Sequence, residues 1–358
     1  MPEQWDYKKA GLDLEQYEQT MAGIQMHLAR THRAGVIPPP FPPRRGGKGV
    51  GGFASLFDLS AAGQYTHPVL VTCTDGVGSK LKIAQMMQQF DTVGIDLVAM
   101  SVNDLICTGG EPLIFLDYLA MARDNPSLTE QLMKGIADGC RAAGCALVGG
   151  ETAILPDFYQ PGDFDLAGFA AGIVERDHII DGRAIHRGDA VIGLASSGLH
   201  SNGFSLVRKV VFDVAHLHVA DRVPELGRTV GDELLTPTRL YVQPIRRLLT
   251  THQAAIHGLA HITGGGLPDN IRRILPPGCR VTLQRGAWTC PPVFGWLQTL
   301  GNIAETEMFR VFNLGIGFVV IAEAAAAEAI IQQLVDAGIA AWRIGEVCEG
   351  EPGVEWIG

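Results

Sequence analysis

The sequence predicts two domains, an α/β domain followed by an α+β domain. Three observations carry that expectation. The chain has 358 residues, more than one hydrophobic core usually serves, so two domains of about 150–200 residues each are expected. Apolar strand-like runs alternate with runs of helical period through the first half. The 44 glycines gather in pairs and triplets where apolar runs end, which lets backbone come close to ligands.

The chain opens with an amphipathic pattern that predicts a helix over residues 14–31. Residues 37–52 carry five prolines and five glycines and can be neither helix nor central strand, so a mobile loop is expected. Residues 69–74 read as a strand ending at Asp75-Gly76, followed by helices over 78–89 and 92–108. Then come a strand (113–120), a helix (128–143), a short strand (146–148) ending at Gly149-Gly150, and a strand (165–175). The polar connection 176–189 is the expected boundary, giving domains of residues 1–176 and 177–358. Beyond it, strands are expected at 190–195, 256–261, 281–283, 315–321 and 342–347. Helices are expected from about 201 to 211 and at 238–250, 269–275, 293–300 and 323–337. No internal repeat is visible.

Composition narrows the functions available. Apolar residues make up 47% and charged residues 18%, a globular balance. The net charge of −10 and the lack of a long basic stripe disfavour nucleic acid as a partner. No apolar run reaches the roughly 18–20 residues that span a membrane. The N-terminus, with Glu3, Asp6 and Glu15 near Trp5 and Tyr7, does not read as a secretory signal, so the cytosol is the expected compartment. The seven cysteines form no C-x-x-C pair and read as reduced core residues. His186, His257 and most other histidines show no partner spacing and read as surface or core residues.

Five segments could carry chemistry. Asp75-Gly76-Val77-Gly78-Ser79-Lys80 ends a strand with two glycines, a hydroxyl and an ammonium. An aspartate there can bind Mg²⁺ and a lysine can neutralise phosphate charge, although the spacing is not that of a P-loop. A turn with a solvated Lys80 is the alternative. In the apolar helix Gly94–Leu105, Asp96 and Asn103 share a face and Asp104 sits about 80° around. Carboxylates on a buried helix need a cation, donors or a proton, which favours a metal or ligand site over a cap. Gly149-Gly150-Glu151-Thr152 places a carboxylate at a strand's end, where α/β folds bind ligands. With Asp75 and Asp104, Glu151 offers the oxygen ligands that Mg²⁺ prefers. The loop Ser196–Gly203 contains His200, a candidate for proton transfer or a histidine satisfied by backbone. His261-Ile262-Thr263-Gly264-Gly265-Gly266 is a plausible phosphate cradle or a plain tight connection.

In this order, these segments resemble the aminoimidazole ribonucleotide synthetase family over nearly the whole chain. The likeness begins at Asp6–Asp13 and includes Met308–Gly317. It implies a homodimer whose N-terminal sheets pair, with ATP bound in a cleft near the domain and dimer interfaces. It also implies ATP-dependent cyclisation of formylglycinamidine ribonucleotide in purine biosynthesis. The formyl oxygen is phosphorylated, then a nitrogen attacks that carbon and expels phosphate. Carried over by position, Asp75, Asp104, Glu151 and Asp96 are Mg²⁺ ligands. Gly51, Gly52, Phe53, Asp75, Lys80 and Asn103 serve ATP. His200, Lys80 and Asn202 are catalytic, and Ser197, Ser201, Asn202, Thr263, Gly264 and Gly265 bind substrate. Residues 38–48 look like an insertion before the ATP loop. Another ATP-dependent synthetase or kinase of the superfamily, or a non-catalytic nucleotide-binding subunit, is the alternative.

Overall fold

The computed structural model describes residues 14–37 and 54–358. Gly51, Gly52, Phe53 and all of the expected 37–52 loop except Ile37 lie outside them, as does the Asp6–Asp13 block.

Two mixed sheets organise the chain. The first is built from β1 (Pro68–Gly76), β2 (Glu111–Met121), β3 (Ala146–Ile154) and β4 (Phe164–Glu175), in the order β1-β4-β2-β3. β2 and β3 are parallel and the other pairs antiparallel. Two helices, α1 (Leu14–Ala29) and α2 (Leu81–Met87), precede α3 (Asp91–Ile106) and α4 (Pro126–Ala143). α3 packs against β1 and β4, and α4 packs on α3. α4 is well capped: Asn125 accepts from the Leu128 N–H, Pro126 occupies the first turn, and Gly144 closes the end at φ 80°.

The second sheet has six strands, β5 (Ala190–Ala195), β6 (Ile256–His261), β7 (Cys279–Gln284), β8 (Ile316–Ala322), β9 (Ala341–Glu349) and β10 (Val354–Ile357), ordered β6-β8-β5-β9-β7-β10. Its centre, β5 and β8, is a continuous buried apolar run, as a sheet covered on both faces requires. One face joins Ile192, Leu194 and Val320 to Leu97 and Leu105 of α3, so a single hydrophobic core runs through both sheets. The other face packs Val191 and Ile321 against Leu267 and Ile271.

Four elements differ from the sequence expectation. The strand predicted to stop at Gly149-Gly150 continues to Ile154. Gly150 lies against Asp117 of β2, leaving no space for a side chain. The helix expected from residue 238 begins at Val242. Its missing turn is held elsewhere: Asp96 accepts from the Thr238 N–H and hydroxyl, and Asn103 accepts from the Tyr241 N–H. The four-residue edge strand β10 and the helix Glu305–Val311 are too short to stand out by periodicity.

Candidate functional site

The site lies where β1 and α3 of the first sheet meet the ends of β5 and β6 of the second. The buried ammonium of Lys80 fixes this junction. Its Nζ lies 3.0 and 2.8 Å from the two oxygens of Asp96, and donates to the carbonyls of His200 (2.9 Å) and Thr236 (2.7 Å). Lys80 and Asp96 are fully buried. Burial pushes the Lys80 pKa down and the Asp96 charge pushes it back up. An ammonium has three protons to give, and these acceptors use them. Lys80 is thus neither solvated nor turned to a phosphate, and Asp96 balances it instead of facing a metal. Asn103, also fully buried, clamps the same segment, donating to Arg239 O at 2.8 Å and accepting from Tyr241 N at 3.0 Å.

One face further around α3, Asp104 has a half-open side chain, 43% exposed. Its Oδ1 accepts from His261 Nδ1 at 2.7 Å. His261 Nε2 is buried and without a hydrogen-bond partner among the described residues. Asp75 completes the group. Burial pushes its carboxyl up, the Gly76 N–H pulls it down, Asp104 pushes it up and His261 pulls it down. Cys73, two residues before it on β1, is pushed up to about 12, by burial first and then by Asp104 and Asp75. It is an inert thiol lining the acidic corner.

The structure does not bring Glu151 to this corner. The cross-strand row Asp75, Gly168, Asp117, Gly150 sets β3 three strand spacings from β1, about 14 Å. Glu151 belongs to the neighbouring row with exposed Tyr118, which points to the opposite face. Asp117, passed over in the sequence, is a buried carboxyl on the inner face that desolvation pushes up to about 7.

His200 sits behind the site, 1% exposed, in a left-handed conformation at φ 61°. Its Nε2 accepts from the Ser197 N–H at 3.2 Å, so Nδ1 carries the proton and has no acceptor among the described residues. Burial, then the charges of His261, Lys80 and Arg239, drive its pKa well below the ordinary value. His200 is a neutral, backbone-held ring and does not face the cleft.

Two loops form the rim. The Ser197 hydroxyl donates to Pro237 O at 2.6 Å, and the Ser201 and Thr238 hydroxyls lie 3.2 Å apart. Asn202 Oδ1 accepts from the Gly264 N–H at 3.1 Å, joining the two loops, while its buried Nδ2 has no partner among the described residues. Asn270 donates to the carbonyls of Thr263, Gly264 and Gly266, turning that loop's acceptors inward. Gly265 takes φ 97° where a side chain would meet Asp269. Of the expected residues, the structure thus brings Asp75 to Asp104 and Asn202 to Gly264. His261 is the functional candidate missed in the sequence, where it read only as the strand end before the glycines.

Comparisons with known proteins give the family. Residues 60–174 match the N-terminal domain of AIR synthase related proteins and residues 186–357 the C-terminal domain. The phosphoribosylformylglycinamidine cyclo-ligase of Thermoanaerobacter sp. (strain X514) is 49% identical over 98% of this chain and 99% of its own. That of Geotalea daltonii is 50% identical over 98% and 97%. A solved thiamine-monophosphate kinase from Stenotrophomonas maltophilia shares the fold, with TM-score 0.69 at 18% identity over 94% of this chain and 96% of that one. The chain belongs to the phosphoribosylformylglycinamidine cyclo-ligase family, ATP-dependent ring-closing ligases of purine biosynthesis.

Proposed function

We propose that this cleft converts formylglycinamidine ribonucleotide and ATP into aminoimidazole ribonucleotide, ADP and phosphate, in the cytoplasm. The observation that carries the assignment of roles is the Asp104–His261 pair, a half-open carboxylate bonded to a buried imidazole. The formyl oxygen takes the γ-phosphoryl group, a nitrogen of the substrate then bonds to that carbon, and the carbon–oxygen bond to phosphate breaks. The attacking nitrogen must lose a proton, and Asp104, 43% exposed and held by the buried His261, is the member of the pair open to take it. The unused Asn202 Nδ2 and the Thr263–Gly265 backbone are placed to hold the substrate.

Asp75 and Asp104 are the residues that would hold Mg²⁺. The Asp104 charge raises the cost of ionising Asp75, and Asp104 is open to solvent, which suits an oxygen-seeking cation. Mg²⁺ there supplies neutralisation of phosphate charge. Lys80, Asp96, Asn103 and His200 instead build the floor that sets the two domains. The division falls at residue 176, with ATP and the partner subunit held by the first part. Gly51, Gly52 and Phe53 remain the proposed ATP loop, outside the described residues. A homodimer is favoured by the uncovered face of the first sheet, where Leu70, Tyr118 and Phe169 are 67, 42 and 37% exposed.

The test is turnover of formylglycinamidine ribonucleotide with Mg²⁺-ATP, following product, ADP and phosphate. One phosphate per ring closed is expected, and Asp104→Asn should lower kcat/KM far more than thermal stability. Absence of product where a known family enzyme turns over would refute the assignment. An equal loss of activity and stability in Asp104→Asn would make the pair structural.

A further inference from the structure

Some 13 Å along β6 from His261 (four residues at the strand rise), a second cluster stands apart from the cleft. His186, Asp189 and His257 each offer a ligand atom, and all these atoms lie within 4.8 Å of one another. Among the described residues no other group of three His, Cys, Asp or Glu side chains does so. We infer that these three residues form a binding site for a divalent ion of zinc's class, which staples the entry of the second domain to its sheet.

Asp189 is the centre. Its carboxylate is fully buried, and its ion-pair partners among the described residues are the two histidines, with no lysine or arginine. Its Oδ2 accepts from the His186 backbone N–H at 3.0 Å and lies 2.8 Å from His257 Nδ1. Its Oδ1 lies 3.1 Å from His186 Nδ1 yet accepts no hydrogen bond. A buried carboxylate oxygen with an unused lone pair is costly unless a cation meets it. Two imidazole nitrogens and one carboxylate are the donor set of zinc sites, whereas Mg²⁺ takes oxygen ligands.

The surroundings fit ligation. On a tetrahedral ion, neighbouring nitrogen and oxygen ligands stand roughly 3.3 Å apart, and Asp189 lies 2.8 and 3.1 Å from the two histidine nitrogens. When His257 binds through Nδ1 its proton moves to Nε2, which lies 4.0 Å from Glu323 Oε1. A carboxylate behind a ligating imidazole is the usual orienting arrangement. The His186 side chain is 63% exposed, giving the ion an entry path and room for a water as fourth ligand. The loop is held in place by Gly188 N–H donating to Val347 O and Val347 N–H donating to Asp189 O. An ion here would therefore join β6 to the loop that enters β5.

The experiment uses the full chain without an affinity tag, titrated with Co²⁺ and then Zn²⁺. One equivalent of Co²⁺ with a visible ligand-field band is expected, displaced by Zn²⁺ but not by Mg²⁺. In His186→Ala, whose exposed side chain can be removed without a cavity, that equivalent should weaken about tenfold or more. Metal-free stability and turnover with Mg²⁺-ATP should be unchanged in that variant. Zn²⁺ should also raise the wild-type melting temperature more than that of His186→Ala. Cobalt bound at the acidic corner or by cysteines would persist in the variant. Equal binding by both proteins, or none by either, would overturn the site.

Discussion

Lys80 shows how far a residue's role depends on what surrounds it. A lysine after a glycine-rich turn reads as a phosphate contact, yet its ammonium is spent on Asp96 and two carbonyls. Removing it leaves Asp96 as a buried uncompensated charge, which costs about 3–5 kcal/mol. Lys80→Met is therefore expected to lower unfolding stability by that order in urea titrations, with the KM for ATP of the folded fraction little changed. Adding Asp96→Leu should recover part of the loss, because both halves of the pair are then gone. Retained stability with a raised KM for ATP would instead restore Lys80 as a phosphate contact.

At the scale of elements, the acidic corner depends on α3 staying where α4 presses it. The two helices approach closely through glycines. A side chain at Gly94 would come within 2.6 Å of Leu132 O and Ile136 N, and one at Gly135 would run into the Asp91 carbonyl. Gly94→Ala is expected to cost about 1–3 kcal/mol by forcing the helices apart. Gly23 in α1 has nothing within 4 Å of its would-be Cβ. There the better helix propensity of alanine should stabilise by up to about 1 kcal/mol. Thermal melts of the two variants should move in opposite directions, and matching shifts would show that packing is not what Gly94 serves.

On the scale of the whole molecule, the two sheets share one core. No helix among the described residues is long and apolar enough to cross a membrane. The outward face of the first sheet keeps Leu70, Tyr118 and Phe169 exposed, a patch that a second copy would cover if the proposed pairing holds. Light scattering should then give twice the chain mass. Leu70→Lys combined with Phe169→Glu should shift the protein to monomer, since two charges cannot be buried there unpaired. A wild-type monomer at micromolar concentration would remove the pairing.

Local pattern was enough for most elements: strands 190–195 and 256–261 were legible to the residue, because buried apolar runs end sharply at glycine or polar residues. The order of acidic and glycine-rich blocks was enough for the family. Sequence alone could not separate Asp96 and Asn103 from Asp104, although they lie on one helix. Only the docking of residues 236–241 decided that the first two are clamps and the third is open. Nor could it remove Glu151 from the corner, since strand order is a long-range property. His261 with Asp104, and Asp189 with His186 and His257, are joined across separations of 157, 3 and 68 residues. Two of those three distances lie far beyond any local spacing rule. Hydrophobic period and turn chemistry act between near neighbours along the chain. Which side chains meet across a sheet is settled only when the chain closes on itself.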